Sequence, residues 1–278
     1  MGDIEQGKPR GLLDLRTGET RFRLTRYVPS EEMAYFVQRY WMVEWDLRGL
    51  PAHTQETLTH PCVNLVFERG KSVLVGVETG VASDTIEGMG FVFGLKFRPG
   101  AFYPFLNAPV STIGNKKLAP ETIFGPEIIS LEDQIFSAPD VESIIACIEA
   151  FFRPRLPARD ETVTQVTEIV DWIMNDPSIT RVEEVAQHFH MTVRSLQRLF
   201  SQYVGVSPKW VIKRYRLHEA AQQLEAGKEV NCARLVYDLG YFDQAHFIKD
   251  FKTIIGRTPA EYARNQLKHQ RYTPPIGR

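Results

Sequence analysis

The chain has 278 residues, of which 43% are hydrophobic and 24% are charged, with 17 Phe, 10 Tyr and 4 Trp. At roughly 150 residues per domain this length predicts two domains, and the composition is that of a folded protein rather than a disordered chain. The three cysteines, Cys62, Cys147 and Cys232, are odd in number and form no CxxC pair. Neither a disulfide framework nor a zinc knuckle is therefore indicated.

The charges divide unevenly along the chain. The net charge is −1, yet the last 98 residues hold 16 Lys and Arg against 9 Asp and Glu, a balance of +7, while the first 180 residues have a balance of −8. A basic segment attached to an acidic remainder indicates a nucleic-acid partner for the basic part. The N-terminus lacks a signal-peptide core, and the longest apolar stretch, near residues 88–95, is too short to span a bilayer. We therefore expect a soluble, cytoplasmic protein with no membrane partner.

Residues 12 to about 105 show the pattern of β-strands. Runs rich in β-branched and aromatic residues are separated by Gly, Pro and polar turns, namely RFRLTRYV, YWMVEWDL, CVNLVFER, SVLVGVET and FVFGLKF. The pattern predicts an antiparallel β domain of sandwich or barrel type. One short helix is expected after Ser30, which would cap it, and a second after Pro99. The first would bury one face consisting of Met33, Phe36 and Val37.

From Pro126 the pattern becomes helical, and the charged, proline-containing segment RPRLPARDE follows it. We place a domain boundary there, near residues 153–160. This gives a β-rich N-terminal domain over residues 1–155 and an all-α domain over residues 160–270, so the predicted fold class is α+β and multidomain.

Short helices with clear start and stop signals fill the region after this boundary. Thr180 and Thr192 are candidate N-caps of two helices joined by a tight turn, which is the arrangement of a helix-turn-helix. Ser207-Pro208 then opens a longer bridging helix. A second pair follows, in which a helix with Ala233, Leu235, Val236 and Leu239 ends at Gly240 and Asp243 caps its partner.

The two units share a sequence pattern 51 residues apart, TVRSLQRLFSQYVGVSP in the first and DQAHFIKDFKTIIGRTP in the second. Leu196 and Phe200 of the first match Phe247 and Phe251 of the second. This internal duplication predicts two helix-turn-helix units connected by one long helix.

The segment GYFDQAHFIKDFKTIIGRTPAEYAR resembles the signature of the AraC family of bacterial transcription regulators, and the resemblance covers residues 162 to 264. It implies a DNA-binding activator of transcription that contacts promoter or operator DNA and RNA polymerase. It also implies an N-terminal cupin-like domain that binds a small-molecule effector or forms a homodimer. The chain departs from the family pattern at His190, where Gly is frequent, at Val236, where Ala is usual, and at Lys249, where Arg is common.

The DNA-reading side chains are expected on the two recognition helices, which a duplex would accept in successive major grooves about 34 Å apart. Arg pairs with guanine and Gln with adenine through two hydrogen bonds, each pairing contributing about 1–3 kcal/mol of discrimination. The alternative is that these positions form only a solvated outward face. The candidate positions of the first helix, which we expect to dominate sequence choice, are Arg194, Gln197, Arg198 and Ser201.

The second recognition helix offers fewer strong readers. Apolar side chains there suit a thymine methyl, a glutamine suits adenine or phosphate, and lysines attract the DNA backbone. The candidate positions are Gln244, Ala245, Ile248, Lys249 and Lys252. His246 is expected either to pack or contact phosphate or to read a base. Arg214 and Arg216 of the bridging helix, with Lys209 and Lys213, are expected to face solvent, with DNA contact as the alternative.

An effector pocket in the β domain would need aromatic walls and polar anchors. The candidate aromatics are Trp41, Trp45, Phe67, Phe93 and Tyr103. The candidate anchors are His60, Glu68 and Arg98. The alternative is that the aromatics are core residues of the strands and that Arg98 holds a turn.

Catalysis, cofactors and metals have no support in the sequence. His53 and His60 are seven residues apart, the one His-x-His is His188-x-His190 in the helical region, and neither a Gly-rich phosphate loop nor a Gly-x-Ser-x-Gly elbow occurs. Two alternatives to the effector-controlled regulator stay open. One is a cupin-like enzyme targeted to DNA, with Cys62 as its candidate nucleophile unless that thiol is buried. The other is an effector-free regulator whose β domain captures a partner protein.

Overall fold

The structure is a computed structural model, and it describes residues 11, 13, 18, 20–225, 236–237, 239–241 and 243–264. Ala233 and Leu235, which we expect in the first helix of the second unit, lie outside the described residues. Val236 and Leu239 of the same predicted helix are described, and both are buried.

The strands of the described residues all lie in the N-terminal half. They are β1 (Arg23–Tyr27), β2 (Val37–Asp46), β3 (His53–Leu58), β4 (Asn64–Phe67), β5 (Val73–Val75), β6 (Val81–Ile86), β7 (Met89–Phe97) and β8 (Lys117–Leu118). Six of them form one sheet in the order β1-β2-β7-β4-β5-β8, and β3 pairs with β6 in a separate two-stranded ribbon.

Every strand pairing is antiparallel, and the pairs β2–β7, β3–β6 and β4–β5 are nested in the sequence. Nested pairs divided between two sheets are the arrangement of a jelly roll, the architecture of cupins. The predicted fold class, an antiparallel β domain followed by an all-α region, is confirmed.

The sequence analysis missed β3, β6 and β8. The segments HTQETL and VASDTI, which form β3 and β6, contain few apolar residues, so neither shows the run of β-branched and aromatic residues that identified the other strands. Their pairing is instead supported by polar contacts, such as the 2.8 Å hydrogen bond between the hydroxyls of Thr54 and Thr85.

The helices of the N-terminal half are α1 (Glu31–Ala34), α2 (Tyr103–Leu106), α3 (Glu121–Phe124), α4 (Glu127–Ser137) and α5 (Val141–Phe152). The prediction for α1 was partly wrong, because Ser30 makes no capping hydrogen bond and the helix ends before Phe36. The N–H of Phe36 donates instead to the carbonyl of Met33, and Val37 already begins β2.

The helices of the C-terminal half include α6 (Glu161–Asn175), α7 (Val182–His188), α8 (Val193–Leu199), α9 (Pro208–Glu225) and α10 (Gln244–Ile255), and residues 259–264 are also helical. A π-helical turn, Phe200–Val204, extends α8. Thr192 and Asp243 cap α8 and α10 by accepting from the N–H groups of Ser195 and His246 at 3.1 and 2.7 Å. Thr180 was the wrong cap for α7, because Arg181 occupies the N-cap position and the Glu184 carboxylate accepts from the N–H groups of both residues.

Two hydrophobic cores organise the molecule. The first extends without a break from the sheet through α4, α5 and α6 to the start of α9, between Tyr27 and Ile212. The second surrounds Phe247 and Phe251 of α10 and includes Leu58 from the end of β3. Both cores therefore join residues from the two sides of the boundary near residues 153–160, which stays a prediction.

No helix in the described ranges is both long enough and apolar enough to cross a bilayer.

Candidate nucleic-acid interface

The first recognition helix, α8, has one buried and one exposed face. Leu196 and, in the following turn, Phe200 are fully buried, and this packing holds the helix against the first core. The opposite face carries Arg194, Gln197 and Arg198, all exposed. Among the described residues none of these three side chains is engaged in an ion pair or a hydrogen bond, so their donors are available to a ligand.

Ser201, the fourth position of this predicted stripe, has a different environment. It is exposed but belongs to the π-helical turn, and its hydroxyl lies 3.3 Å from the hydroxyl of Ser111 in the β domain. The structure therefore places Ser201 where the recognition helix meets the N-terminal half.

The second recognition helix, α10, buries Phe247, Phe251, Ile254 and Ile255 in the second core. Gln244, Ala245, Lys249 and Lys252 are exposed, as the predicted reading face requires. Ile248 is only half-exposed and packs against the second core. The two lysines therefore supply the positive charge of this face.

A cluster around Asp250 connects α9 to α10. The carboxylate of Asp250 accepts from the Lys213 ammonium at 2.6 Å and from the Tyr241 hydroxyl at 3.2 Å, and it lies 3.3 Å from Nε2 of His246. Burial, with Asp250 beside it, raises the pKa of Tyr241. Sequence reasoning missed Asp250, because a charged residue on a recognition helix carries no signal that its partners lie on another helix.

The prediction that Arg214 and Arg216 face solvent was wrong. Arg214 is fully buried, and its guanidinium donates to the carbonyls of Thr59 and Leu58 at 2.8 and 2.9 Å. Arg216 is 7% exposed and lies 5.5 Å from the Tyr241 ring, and burial lowers its pKa. Both arginines are covered because the β domain and the second unit pack against α9, which helical periodicity cannot show.

The predicted effector residues do not meet in one place. Trp41 and Trp45 lie on one face of β2, where the Trp41 indole covers Gly94 and the Trp45 indole donates to the Glu87 carbonyl at 2.9 Å. Phe67 and Phe93 are fully buried in the first core, on the opposite face of the sheet.

The four other candidates are engaged elsewhere. Glu68 forms an ion pair with Lys71, and Arg98 donates to the Ala34 carbonyl at 2.6 Å. The Tyr103 ring lies 4.3 Å from that of Tyr203 and the His60 ring 6.1 Å from that of Tyr215. Tyr103 and His60 thus contact the helical half of the molecule.

Cys62 is buried, and burial raises the pKa of its thiol. A buried thiol with a raised pKa is a poor nucleophile. Across the part of the chain that the structure describes, no group of three or more His, Cys, Asp or Glu residues is arranged to hold a metal ion.

Comparison with known proteins matches two segments of the chain. A family model described as "Helix-turn-helix domain" matches residues 185–265, and one described as "Domain of unknown function (DUF6597)" matches residues 25–119. An uncharacterized HTH-type transcriptional regulator of Haemophilus influenzae is 30% identical over 84 residues, which are 30% of this chain and 28% of that protein. The HTH-type transcriptional activator RhaS of Pectobacterium carotovorum is 26% identical over 113 residues, 39% of this chain and 37% of that protein.

A solved structure of a probable AraC family transcriptional regulator from Rhodopseudomonas palustris is 21% identical, covers 38% of this chain and 98% of that one, and gives a TM-score of 0.34. Residues 185–265 therefore form an AraC-type helix-turn-helix region. This region contains most of α7 and all of α8, α9 and α10, and thus both recognition helices. The chain spans about a third of the length of the curated AraC-type relatives that it matches.

Proposed function

We propose that the chain is a sequence-specific transcription regulator that binds double-stranded promoter or operator DNA in the major groove. The observation that carries this proposal is the exposed face of α8, where Arg194, Gln197 and Arg198 have no competing partners among the described residues. Their donors and acceptors are those that pair with guanine and adenine edges. The Thr192 cap and the buried Leu196 and Phe200 fix the direction in which this face of α8 points.

The second recognition helix contributes mainly affinity in this proposal. Lys249 and Lys252 are exposed, while Lys213 is already paired with Asp250. Lysines near phosphates attract DNA without reading its sequence and make binding sensitive to salt. We therefore assign most of the sequence choice to the first unit.

The proposal also assigns a role to the N-terminal region, residues 1–155. This region controls the activity of the regulator by binding a small-molecule effector or by forming a homodimer. The regulator is an activator that also contacts RNA polymerase. The half-exposed Trp41 and Trp45 on one face of β2 support an effector site there. A second candidate, a regulator without effector whose β domain captures a partner protein, is favoured by the dispersal of the eight predicted effector residues.

Binding of the purified protein to DNA tiled upstream of its own gene, measured by fluorescence anisotropy against scrambled duplex at physiological salt, tests the proposal. We expect a preference of about 10³ or more for one segment. Arg198→Ala should reduce that preference by roughly 10-fold to 100-fold, because one bidentate contact to a base is lost.

Arg48→Ala is the matched control, because it removes the same side chain from a turn of the β domain where Arg48 pairs with the nearby Asp46. Equal reductions for the two variants would remove Arg198 from the reading surface. Equal binding of wild-type protein to all duplexes would contradict sequence-specific recognition.

A further inference from the structure

One end of the β3–β6 ribbon lies against the bridging helix α9 and against the second helix-turn-helix unit. We define the ribbon end as residues 56–59 and 79–81. We propose that the ribbon end is a brace that holds the second helix-turn-helix unit in a fixed position relative to the first. The proposal rests on the proposed function, because the position of the two units matters through the DNA they read.

On one side the ribbon end contacts the bridging helix α9. The buried guanidinium of Arg214 donates to two successive carbonyls of the ribbon end, those of Leu58 and Thr59. One helical turn earlier, the indole of Trp210 donates to the Thr79 carbonyl at 3.2 Å. The end of β3 and the segment that leads into β6 are thus hydrogen-bonded to the same helix.

On the other side the ribbon end contacts the second unit. Leu58 is fully buried in the core that contains Phe247 and Phe251 of α10. The Glu56 carboxylate forms an ion pair with Arg257, which follows the C-terminus of α10. Val81 packs against Gly256, which ends α10 with a φ of +84°.

These contacts add to the direct packing of α9 against α10 in the second core and to the Lys213–Asp250 ion pair. Because the ribbon end contacts both helices, it further restricts any change in the angle between α9 and α10. Recognition helices that enter successive major grooves must be about one helical turn apart, so this angle determines which spacing of half-sites the protein accepts. The β domain thereby contributes to DNA specificity without touching DNA.

Glu56→Lys in the full chain tests the brace, because the new ammonium repels Arg257 without opening a core. We expect amide hydrogen exchange of residues 244–255 to become about fivefold faster in the free protein. Asp84→Lys is the matched control. It makes the same charge change on the same ribbon. Asp84 is exposed, and its carboxylate forms only a long contact, 3.8 Å, with the ammonium of Lys117 in β8. Exchange in α10 that is unchanged by Glu56→Lys, or equally changed by both variants, overturns the brace.

A DNA measurement tests the consequence for specificity. The ratio of affinities for the preferred operator and for a duplex with half-sites about half a helical turn further apart should fall about fivefold in Glu56→Lys and stay constant in Asp84→Lys. A constant ratio in both variants overturns the effect on specificity. If wild-type protein shows no sequence preference at all, the proposed function fails, while the exchange measurement still decides whether the brace exists.

Discussion

His190 occupies the turn between α7 and α8 with a φ of +52°. This is the left-handed region, in which a side chain crowds the backbone and glycine does not. The AraC pattern often has Gly at this position, which fits the left-handed backbone. His190 is therefore a strained residue inside the first helix-turn-helix. Histidine is among the residues that tolerate this conformation best.

His190→Gly should raise the free energy of unfolding by about 1 kcal/mol, because it removes the left-handed strain at a modest entropic cost. His190→Ala is the control, since alanine keeps a Cβ and therefore the strain. Urea unfolding of both variants and of wild type measures the difference. A stability of His190→Gly at or below that of His190→Ala would show that this turn stores no strain.

Asp160 illustrates how one side chain can support an element and a tertiary contact together. It caps α6 by accepting from the Thr162 N–H at 2.8 Å, and it accepts from the Tyr203 hydroxyl at 2.7 Å. Burial by itself raises the pKa of Asp160, but the hydrogen bonds from Tyr203 and Thr162 outweigh it and hold the pKa below its ordinary value. The charged carboxylate therefore stabilises the fold.

Asp160→Asn should lower the free energy of unfolding by about 1–2 kcal/mol at neutral pH. Because the pKa is lower in the folded state, the stabilisation by the carboxylate is complete above about pH 4, the ordinary value, and is lost as the pH falls through the folded-state pKa. The difference between the variant and wild type should shrink over that range in urea unfolding at several pH values. Asp140→Asn is the comparison, since Asp140 caps α5 through Ser143 of the same helix. Equal losses at neutral pH in the two variants would mean that the Tyr203 contact contributes nothing.

At the scale of the whole molecule, the first core makes the β domain and the first helix-turn-helix one packed body. Gly100, after β7, leaves room for Val166 of α6, and Gly205, after the π-helical turn, packs closely on Val110. The Thr167 hydroxyl of α6 also donates to the Pro99 carbonyl at 3.0 Å. A substitution that destabilises one half should therefore also destabilise the other.

Ile148→Ala in α5 should lower the stability of β7 and of α6 by the same amount, about 2–4 kcal/mol, because Ile148 is fully buried in the shared core. Hydrogen exchange followed through urea unfolding reports each element separately. Ile129→Ala in α4 is the control, since Ile129 is 56% exposed. If β7 loses stability and α6 does not, the two halves unfold independently.

Local signals explain most of what could be predicted from the sequence. Three signals predicted two helix-turn-helix units. They are the apolar spacing along α6, α8 and α10, the caps Thr192 and Asp243, and the duplicated sequence pattern. Those signals work because a helix is determined by residues within a few positions of each other. The exposed positions of α8 followed from its buried ones, as the two faces of one helix must.

Only the tertiary structure decided the features that depend on distant chain segments. The sequence pattern did not identify β3 and β6, because both segments are polar and their strand structure depends on pairing with each other and on contacts with distant helices. Helical periodicity predicts that Arg214 is a surface residue. In the structure the end of β3 covers it, and its guanidinium donates to the carbonyls of Leu58 and Thr59. The sequence by itself therefore determined the recognition helices, their order and the AraC-type helix-turn-helix region. The burial of Arg214 in α9, and the position of the β3–β6 ribbon against α9 and the second unit, depended on contacts between segments more than a hundred residues apart, which no local pattern records.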